Sequence, residues 1–245
     1  NADVVIENFR PKVKYKLGLQ YNALCAINPA IILASISGFG QEGPYKDRPG
    51  FDQIAQGMSG LMSITGEPGA GPMRVGIPLA DLSAGLFAAQ GILLALYERM
   101  RSGKGQWVQT SLLQSQIFML DFQAARYIMS GEIPEQAGNN HPTSIPTGVF
   151  KTKDSFINIA ASGEAIWQKL AVALGHPEWI SDKLYSTSEA RSKNRSMLGD
   201  HINKCTLKKT TSEWILVLNN EGVPCGPINS IDEMFHDPQV RHLAV

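Results

Sequence analysis

The chain opens by alternating short β-branched runs with a helix-like stretch, and this alternation constrains the fold more than any other feature. Val4 to Ile6 reads as a strand, Tyr21 to Ile27 as a helix and Ile31 to Ile36 as a buried strand. Short strands separated by helices favour a parallel α/β sheet over an all-β fold. A Gly/Pro-rich loop follows, Gly38 to Gly50, whose composition suits either a plain turn or a ligand cradle. Phe51 to Ile64 is expected to be helical, and a turn-rich segment then runs from Thr65 to Pro72. Met73 to Ala80 leads into Asp81 and the most apolar helix of the chain, Leu82 to Met100. That helix stops at Gly103-Lys104-Gly105, with Arg99 and Arg101 well placed for its negative end. Trp107 to Leu113 predicts a strand, and a further long helix is expected to run to about Met129.

The character changes after Gly138-Asn139-Asn140-His141-Pro142. Val149 to Lys151 and Phe156 to Ala160 resemble a hairpin around Lys153-Asp154-Ser155. Three amphipathic helices are expected near Glu164–Leu174, Thr187–Lys204 and Thr211–Asn220, which marks a smaller second domain. The segment Gly222 to Ile228 is expected to lead back towards the first domain. The division is therefore 1–137 for a large domain, 138–228 for a small one and 229–245 for the start of the return.

A chain of 245 residues can bury a sizeable core, and 43% hydrophobic with 18% charged residues excludes a disordered chain. Twenty-two basic residues balance 22 acidic ones, so bulk charge gives no reason to expect nucleic acid or an anionic membrane. A local basic pocket for a small phosphorylated ligand remains compatible with that balance. The longest apolar stretch, Leu86 to Tyr97, is too short to span a bilayer and reads as a buried helix. Cys25, Cys205 and Cys225 are odd in number, far apart and never in a CxxC pair, which disfavours disulfides and zinc and points to a reducing compartment. Asn1 directly precedes a strand and Val245 has no terminal character, so the sequence reads as a piece of a longer protein.

Among side chains that carry chemistry, Asp81 stands at the apparent N-cap of the most apolar helix. Two readings are open: a structural cap, the common use of such an Asp, or a nucleophile kept ionised by the helix N-terminus. There is no GxSxG elbow, HExxH or P-loop, and His141, His176, His201, His236 and His242 show no metal-ligand spacing. His201 and His236 read as surface residues. His141, in the Gly/Asn/Pro loop between the two expected domains, is either a loop element or a substrate-side group. Lys12, Lys14 and Lys16 read as a solvated face, with a phosphate contact as the functional alternative. Trp107, Trp167, Trp179 and Trp214 are assigned to packing.

Taken in order, several segments resemble the class III CoA-transferase family, which includes formyl-CoA transferase, carnitine CoA-transferase and α-methylacyl-CoA racemase. They are Ala2 to Pro11 (ADVVIENFRP), Ile27-Asn28-Pro29 leading to Ser35-Ile36-Ser37-Gly38-Phe39-Gly40, and Gly50-Phe51-Asp52. Ser59 to Met62, Thr65 to Pro68, Gly76 to Leu82, Gly103 to Gln106 and Gly222 to Pro227 continue the pattern. The resemblance covers nearly the whole chain. It implies a Rossmann-like, parallel-sheet large domain, a smaller α+β domain and an interlocked homodimer. It also implies an enzyme with no permanently bound cofactor and no metal, acting on acyl-CoA and a carboxylic acid, in the cytoplasm or, in a eukaryote, the mitochondrion.

The resemblance makes Asp81 the covalent nucleophile. It places CoA-binding positions on Asn8, Phe9 and Arg10, on Lys16 and Leu17, and on Arg48, Pro49, Gly50 and Phe51. Lys16 stands where an Arg often lies and so loses bidentate geometry. The glycine-rich substrate loop of formyl-CoA transferase is not matched. Its counterpart is the loop of Asn140, His141 and Pro142, continuing to Thr147, where relatives commonly carry Tyr. Charged and polar groups around that loop point to dicarboxylates such as succinate or glutarate. The racemase branch has a His where this chain has Phe51, and without a second base an α-proton is hard to exchange on both faces. A racemase and a non-catalytic CoA-binding piece are the alternatives.

Overall fold

The computed structural model describes residues 2–244. Two compact units are present, residues 1–138 and residues 139–245, and each is described by itself.

Continuous burial singles out the centre of the first unit. Ile32, Leu33 and Ala34 are fully buried, as a strand covered on both faces must be. This strand, β2 (Ile32–Ser37), lies between β1 (Val4–Glu7) and β3 (Trp107–Ser111), and both pairings are parallel. The fold is thus mixed α/β with a parallel sheet. Between β1 and β2 run α1 (Pro11–Lys16) and α2 (Tyr21–Ile27). After β2 come α3 (Asp52–Met58), α4 (Leu61–Ile64) and α5 (Leu79–Ser102). β3 runs into α6 (Leu112–Phe118), with α7 (Phe122–Ser130) beyond it.

Several expected elements are broken or turned. The single helix expected over Phe51 to Ile64 is two, because Gly60 sits in the left-handed region at φ 93° and redirects the chain. The long helix after β3 is likewise interrupted at residues 119–121. The lysine run is not a uniformly solvated face: Lys12 and Lys16 are exposed, but Lys14 on α1 is only 1% exposed.

The largest correction concerns α5. Its small residues Ala80, Ser83, Ala84, Ala88 and Ala95 are buried, and the helix packs on β2 and β3. Leu86, Leu93, Leu94, Tyr97 and Met100 are exposed, so the apolar stripe read as core faces away from the sheet. A small-residue face lets a helix lie close to a sheet, which is why alanines won the interior. At 24 residues α5 is long and apolar enough to cross a membrane, by length and composition only.

The second unit is built on β4 (Thr147–Lys151), β5 (Phe156–Ala160) and β6 (Cys225–Pro227), an antiparallel sheet in that order. Residues expected to lead away thus supply its third strand. The expected hairpin forms, with Thr147 opposite Ala160 and Lys151 opposite Phe156. Helices α8 (Glu164–Ala173), α9 (Ser188–Lys193), α10 (Arg195–Thr206) and α11 (Thr211–Asn220) follow β5, and α12 (Ile231–His236) and α13 (Pro238–His242) follow β6. The helix expected from Thr187 to Lys204 is divided at Asn194.

Trp167, Trp179 and Trp214 pack in one core with Ile157, Ile159, Leu170, Leu198 and Leu218. The buried Arg191 guanidinium lies 5.0 Å from the centre of the Trp167 ring and donates to the carbonyls of Ile145 and Tyr185. His201 is not a plain surface residue: it stacks on Trp179, and its Nδ1 lies 3.1 Å from the Tyr185 hydroxyl. The three cysteines are free thiols.

Candidate active site

The residue before α5 is Pro78, which has no side-chain cap to offer. Capping comes from α3. The buried Asp52 carboxylate accepts the Ala80 N–H through Oδ1 at 2.9 Å, and its Oδ2 accepts from Gln56 Nε2 at 2.8 Å. One turn on, the fully buried Gln56 donates to the Ile77 carbonyl at 3.1 Å and accepts the Val75 N–H at 3.0 Å. Two side chains spaced i, i+4 therefore share one face of α3 and hold the segment that delivers Asp81. Arg74 lies 3.6 Å from Asp52 Oδ2. The sequence offered Asp52 only as part of the segment Gly50-Phe51-Asp52, with no role, and Gln56 not at all; their i, i+4 spacing was the further signal.

Asp81 is not the N-cap. It is the third residue of α5, in its first turn, and its solvent-accessible carboxylate makes no hydrogen bond among the described residues. Partial burial, and then the nearby Asp52 charge, push its pKa above the ordinary aspartate value. The helix N-terminus was expected to keep it ionised; desolvation and like charge act against that field here. Because α5 leads into β3 and packs back along it, its first turn lies at the carboxyl ends of the strands. The Thr110 hydroxyl accordingly lies 3.4 Å from the Ala84 carbonyl. In open parallel sheets that edge is where ligands bind.

The expected CoA positions in this unit leave the same edge. Asn8, Phe9 and Arg10 directly follow β1, and Lys16 and Leu17 close α1. Arg48 to Phe51 end the loop after β2. That loop doubles back on itself: a Cβ on Gly38 would stand 2.9 Å from the Gly50 Cα, and one on Gly50 3.0 Å from the Gly38 Cα. Only two glycines allow such an approach. Within the loop the Arg48 guanidinium stacks 3.7 Å from the Tyr45 ring centre, and Tyr45 packs edge-on against Phe39. Phe51 is 76% exposed. Between α1 and this loop lies a cleft of about 460 Å³ whose lining includes Lys12, Tyr15, Lys16, Gln41 and Lys46. Three ammonium groups against the single carboxylate of Asp47 make it attractive to phosphate.

In the second unit, Asn140 pairs with Gly148 in an isolated bridge, and the His141 N–H donates to the Thr147 carbonyl at 2.8 Å. The loop is thereby zipped along the edge of β4. His141 Nδ1 accepts backbone N–H groups from Thr143 at 3.2 Å and Ser144 at 2.9 Å, so its neutral form carries the proton on Nε2. Pro142 offers its carbonyl to Arg195 at 2.7 Å. Asn140, Thr147, Arg195 and Asn203 are among the residues lining a cleft of about 300 Å³, and the Thr147 hydroxyl is buried without a hydrogen-bond partner. No cluster of potential metal ligands occurs among the described residues.

The first unit thus combines a parallel sheet, loops leaving its carboxyl edge and an accessible carboxylate in the first turn of α5. The chain belongs to CoA-transferase family III, whose family model matches residues 1–245. It is 42% identical over 240 residues to the succinate–glutarate CoA-transferase of Agrobacterium fabrum, covering 98% of this chain and 60% of that protein. It is 38% identical over 241 residues to the succinyl-CoA:glutarate CoA-transferase of Mus musculus, covering 98% of this chain and 55% of that protein. The crystal structure of a CAIB/BAIF family protein from Brucella suis superposes with a TM-score of 0.85 at 39% identity, covering 98% of this chain and 64% of that one. The chain thus spans about 60% of the length of the curated relatives it matches.

Proposed function

We propose that the protein to which this chain belongs moves CoA from an acyl-CoA donor to a carboxylic acid acceptor, with Asp81 as nucleophile. The observation that carries the reading is the Asp81 carboxylate, accessible and unpaired on a first turn that Asp52 and Gln56 fix in place. The Asp81 carboxylate attacks the thioester carbonyl of the donor, giving an acyl-aspartyl anhydride and CoA thiolate. The thiolate attacks the aspartyl carbonyl of the anhydride, releasing the donor acid and leaving an aspartyl-CoA thioester. The acceptor carboxylate attacks that thioester, expels the thiolate and forms a second anhydride. Attack of the thiolate on the acceptor's acyl carbon then yields the new acyl-CoA and restores Asp81. Every bond broken is matched by one formed, and neither metal nor redox partner is required.

CoA is assigned to Asn8, Phe9 and Arg10, Lys16 and Leu17, and Arg48 to Phe51; the lysine-lined cleft between α1 and the loop after β2 suits its phosphates. The loop of Asn140, His141 and Pro142 is assigned to the acid. Succinate and glutarate are the proposed acids, a choice supported by the names of the Agrobacterium and mouse relatives. The exposed apolar face of α5 supports an interlocked homodimer with Rossmann-like large domains and smaller α+β domains, in which residues 229–245 begin the return to the large one. A cytoplasmic enzyme, or a mitochondrial one in a eukaryote, fits this reading.

The test is intact-protein mass spectrometry of the full-length protein after incubation with succinyl-CoA, with hydroxylamine trapping and peptide mapping. An adduct on Asp81 that is lost in Asp81→Ala establishes covalent transfer. No adduct with any acyl-CoA from a folded full-length protein would make Asp81 a structural residue and end the proposal. Running the 245-residue chain alongside shows whether this portion turns over alone or only binds CoA.

A further inference from the structure

A lysine is out of place in the interior of the first unit. Lys14 is 1% exposed, and its Nζ lies 3.5 Å from Glu7 Oε1, 3.4 Å from Ser35 Oγ and 4.3 Å from the centre of the Trp107 ring. It also donates to Gln41 Oε1. Residues from β1, β2, β3 and the loop after β2 thus converge on one ammonium. A buried charge is costly to desolvate, and replacing such a pair by apolar side chains is often neutral for stability. Burial pulls the Lys14 pKa below the ordinary lysine value, and Glu7 opposes that shift. What the ammonium holds makes another role visible.

Glu7 and Gln41 each reach the ligand side of the sheet. The second carboxylate oxygen of Glu7 accepts the Phe9 N–H at 2.8 Å. The Arg10 carbonyl accepts the Lys14 N–H at 3.1 Å, so the lysine backbone holds the same segment from its other end. Gln41 lines the lysine-rich cleft. With its Oε1 turned to the ammonium, its buried Nε2 is left as a donor without a hydrogen-bond partner.

We infer that Lys14 is a positioning residue for CoA, its buried ammonium fixing Glu7 and Gln41 and, through them, the Asn8–Arg10 segment and one wall of the cationic cleft. The inference rests on the proposed CoA-transferase reading. It places the effect at the nucleotide end of the substrate, where the cleft's positive charge lies, and not at the reacting thioester.

The experiment compares succinyl-CoA with succinyl-pantetheine, a thioester lacking the nucleotide, in the full-length protein and its Lys14→Met variant. The methionine keeps the buried stem and removes the charge. The expected result is a KM for succinyl-CoA raised about tenfold, with kcat and the succinyl-pantetheine kinetics unchanged, as for loss of charge-assisted contacts. Equal losses on both thioesters, or a fall in kcat, would make Lys14 a structural residue and overturn the inference, as would unchanged kinetics. Should Lys14→Met fail to fold, Glu7→Gln/Lys14→Met removes both charges and carries the same expectation. Gln41→Ala, which leaves the ion pair intact, is expected to raise only the succinyl-CoA KM, by about threefold. A wild-type protein inert towards succinyl-CoA and every other acyl-CoA would instead overturn the transferase reading itself, and this inference with it.

Discussion

The Asp52 carboxylate accepts the backbone N–H of Ala80 at 2.9 Å, so the helix bearing Asp81 is capped by a residue from another helix. Pro78, at the cap position, cannot do this work, and Asp52 does it across 28 residues of chain. The same carboxylate raises the Asp81 pKa through its charge, a smaller cause than burial. Structure and reactivity at the candidate nucleophile are thereby tied to one side chain.

Asp52→Asn keeps an oxygen for Ala80 and removes the charge. The acid limb of the rate-versus-pH profile is expected to move to lower pH, because Asp81 then ionises more readily. Asp52→Ala loses the cap as well and is expected to cost about 1–2 kcal/mol of stability. Urea unfolding and a pH profile of transfer separate the two effects, and an unmoved acid limb in Asp52→Asn would dismiss the coupling.

Asp81→Asn is expected to abolish the covalent adduct yet raise the melting temperature slightly at neutral pH. With a folded pKa above the unfolded one, ionised Asp81 opposes folding above both values, and that cost vanishes as pH falls through the folded pKa. The gain stays below about 1 kcal/mol because the side chain is solvent-accessible. Melting curves of both proteins should converge as the pH is lowered through the carboxylate range.

Gln56→Leu preserves bulk but leaves the Val75 N–H and the Ile77 carbonyl without their partner. A loss of about 2–4 kcal/mol is expected for two stranded backbone groups. Transfer should fall further than the folded fraction does, because the segment leading to Asp81 is released. Activity measured well below the melting temperature checks this.

In the second unit, Trp167→Ala removes a fully buried ring that stacks with Trp179 and meets Arg191. A cost of about 3–5 kcal/mol is expected. Hydrogen exchange followed by mass spectrometry should show loss of protection concentrated in residues 139–245, where this core lies.

Leu93→Glu tests the outward face of α5. The side chain is exposed on this chain, so the substitution is expected to change stability by less than about 0.5 kcal/mol. If that face meets a second copy, the full-length protein should lose mass by light scattering. An unchanged mass would remove α5 from the proposed dimer contact.

Local pattern settled much of this protein. The apolar run Ile31 to Ala34 and the flanking helix Tyr21–Ile27 marked the parallel sheet, because a strand buried on both faces has no polar alternation. The turn at Lys153-Asp154-Ser155 marked the hairpin of β4 and β5. Asp81 was visible as an acidic residue entering an apolar helix, and its family setting came from the order of short segments along the chain. What tertiary structure alone decided was which partner each side chain met. Hydrophobicity could not reveal that α5 would bury alanines and expose leucines, since close packing on a sheet rewards small size over apolarity. Nor could a run of three lysines reveal that Lys14 would turn inward to Glu7, or Asp52 that its partner lay at Ala80. Periodicity reports on neighbours within a turn or two, whereas these contacts are chosen by where distant backbone groups come to rest.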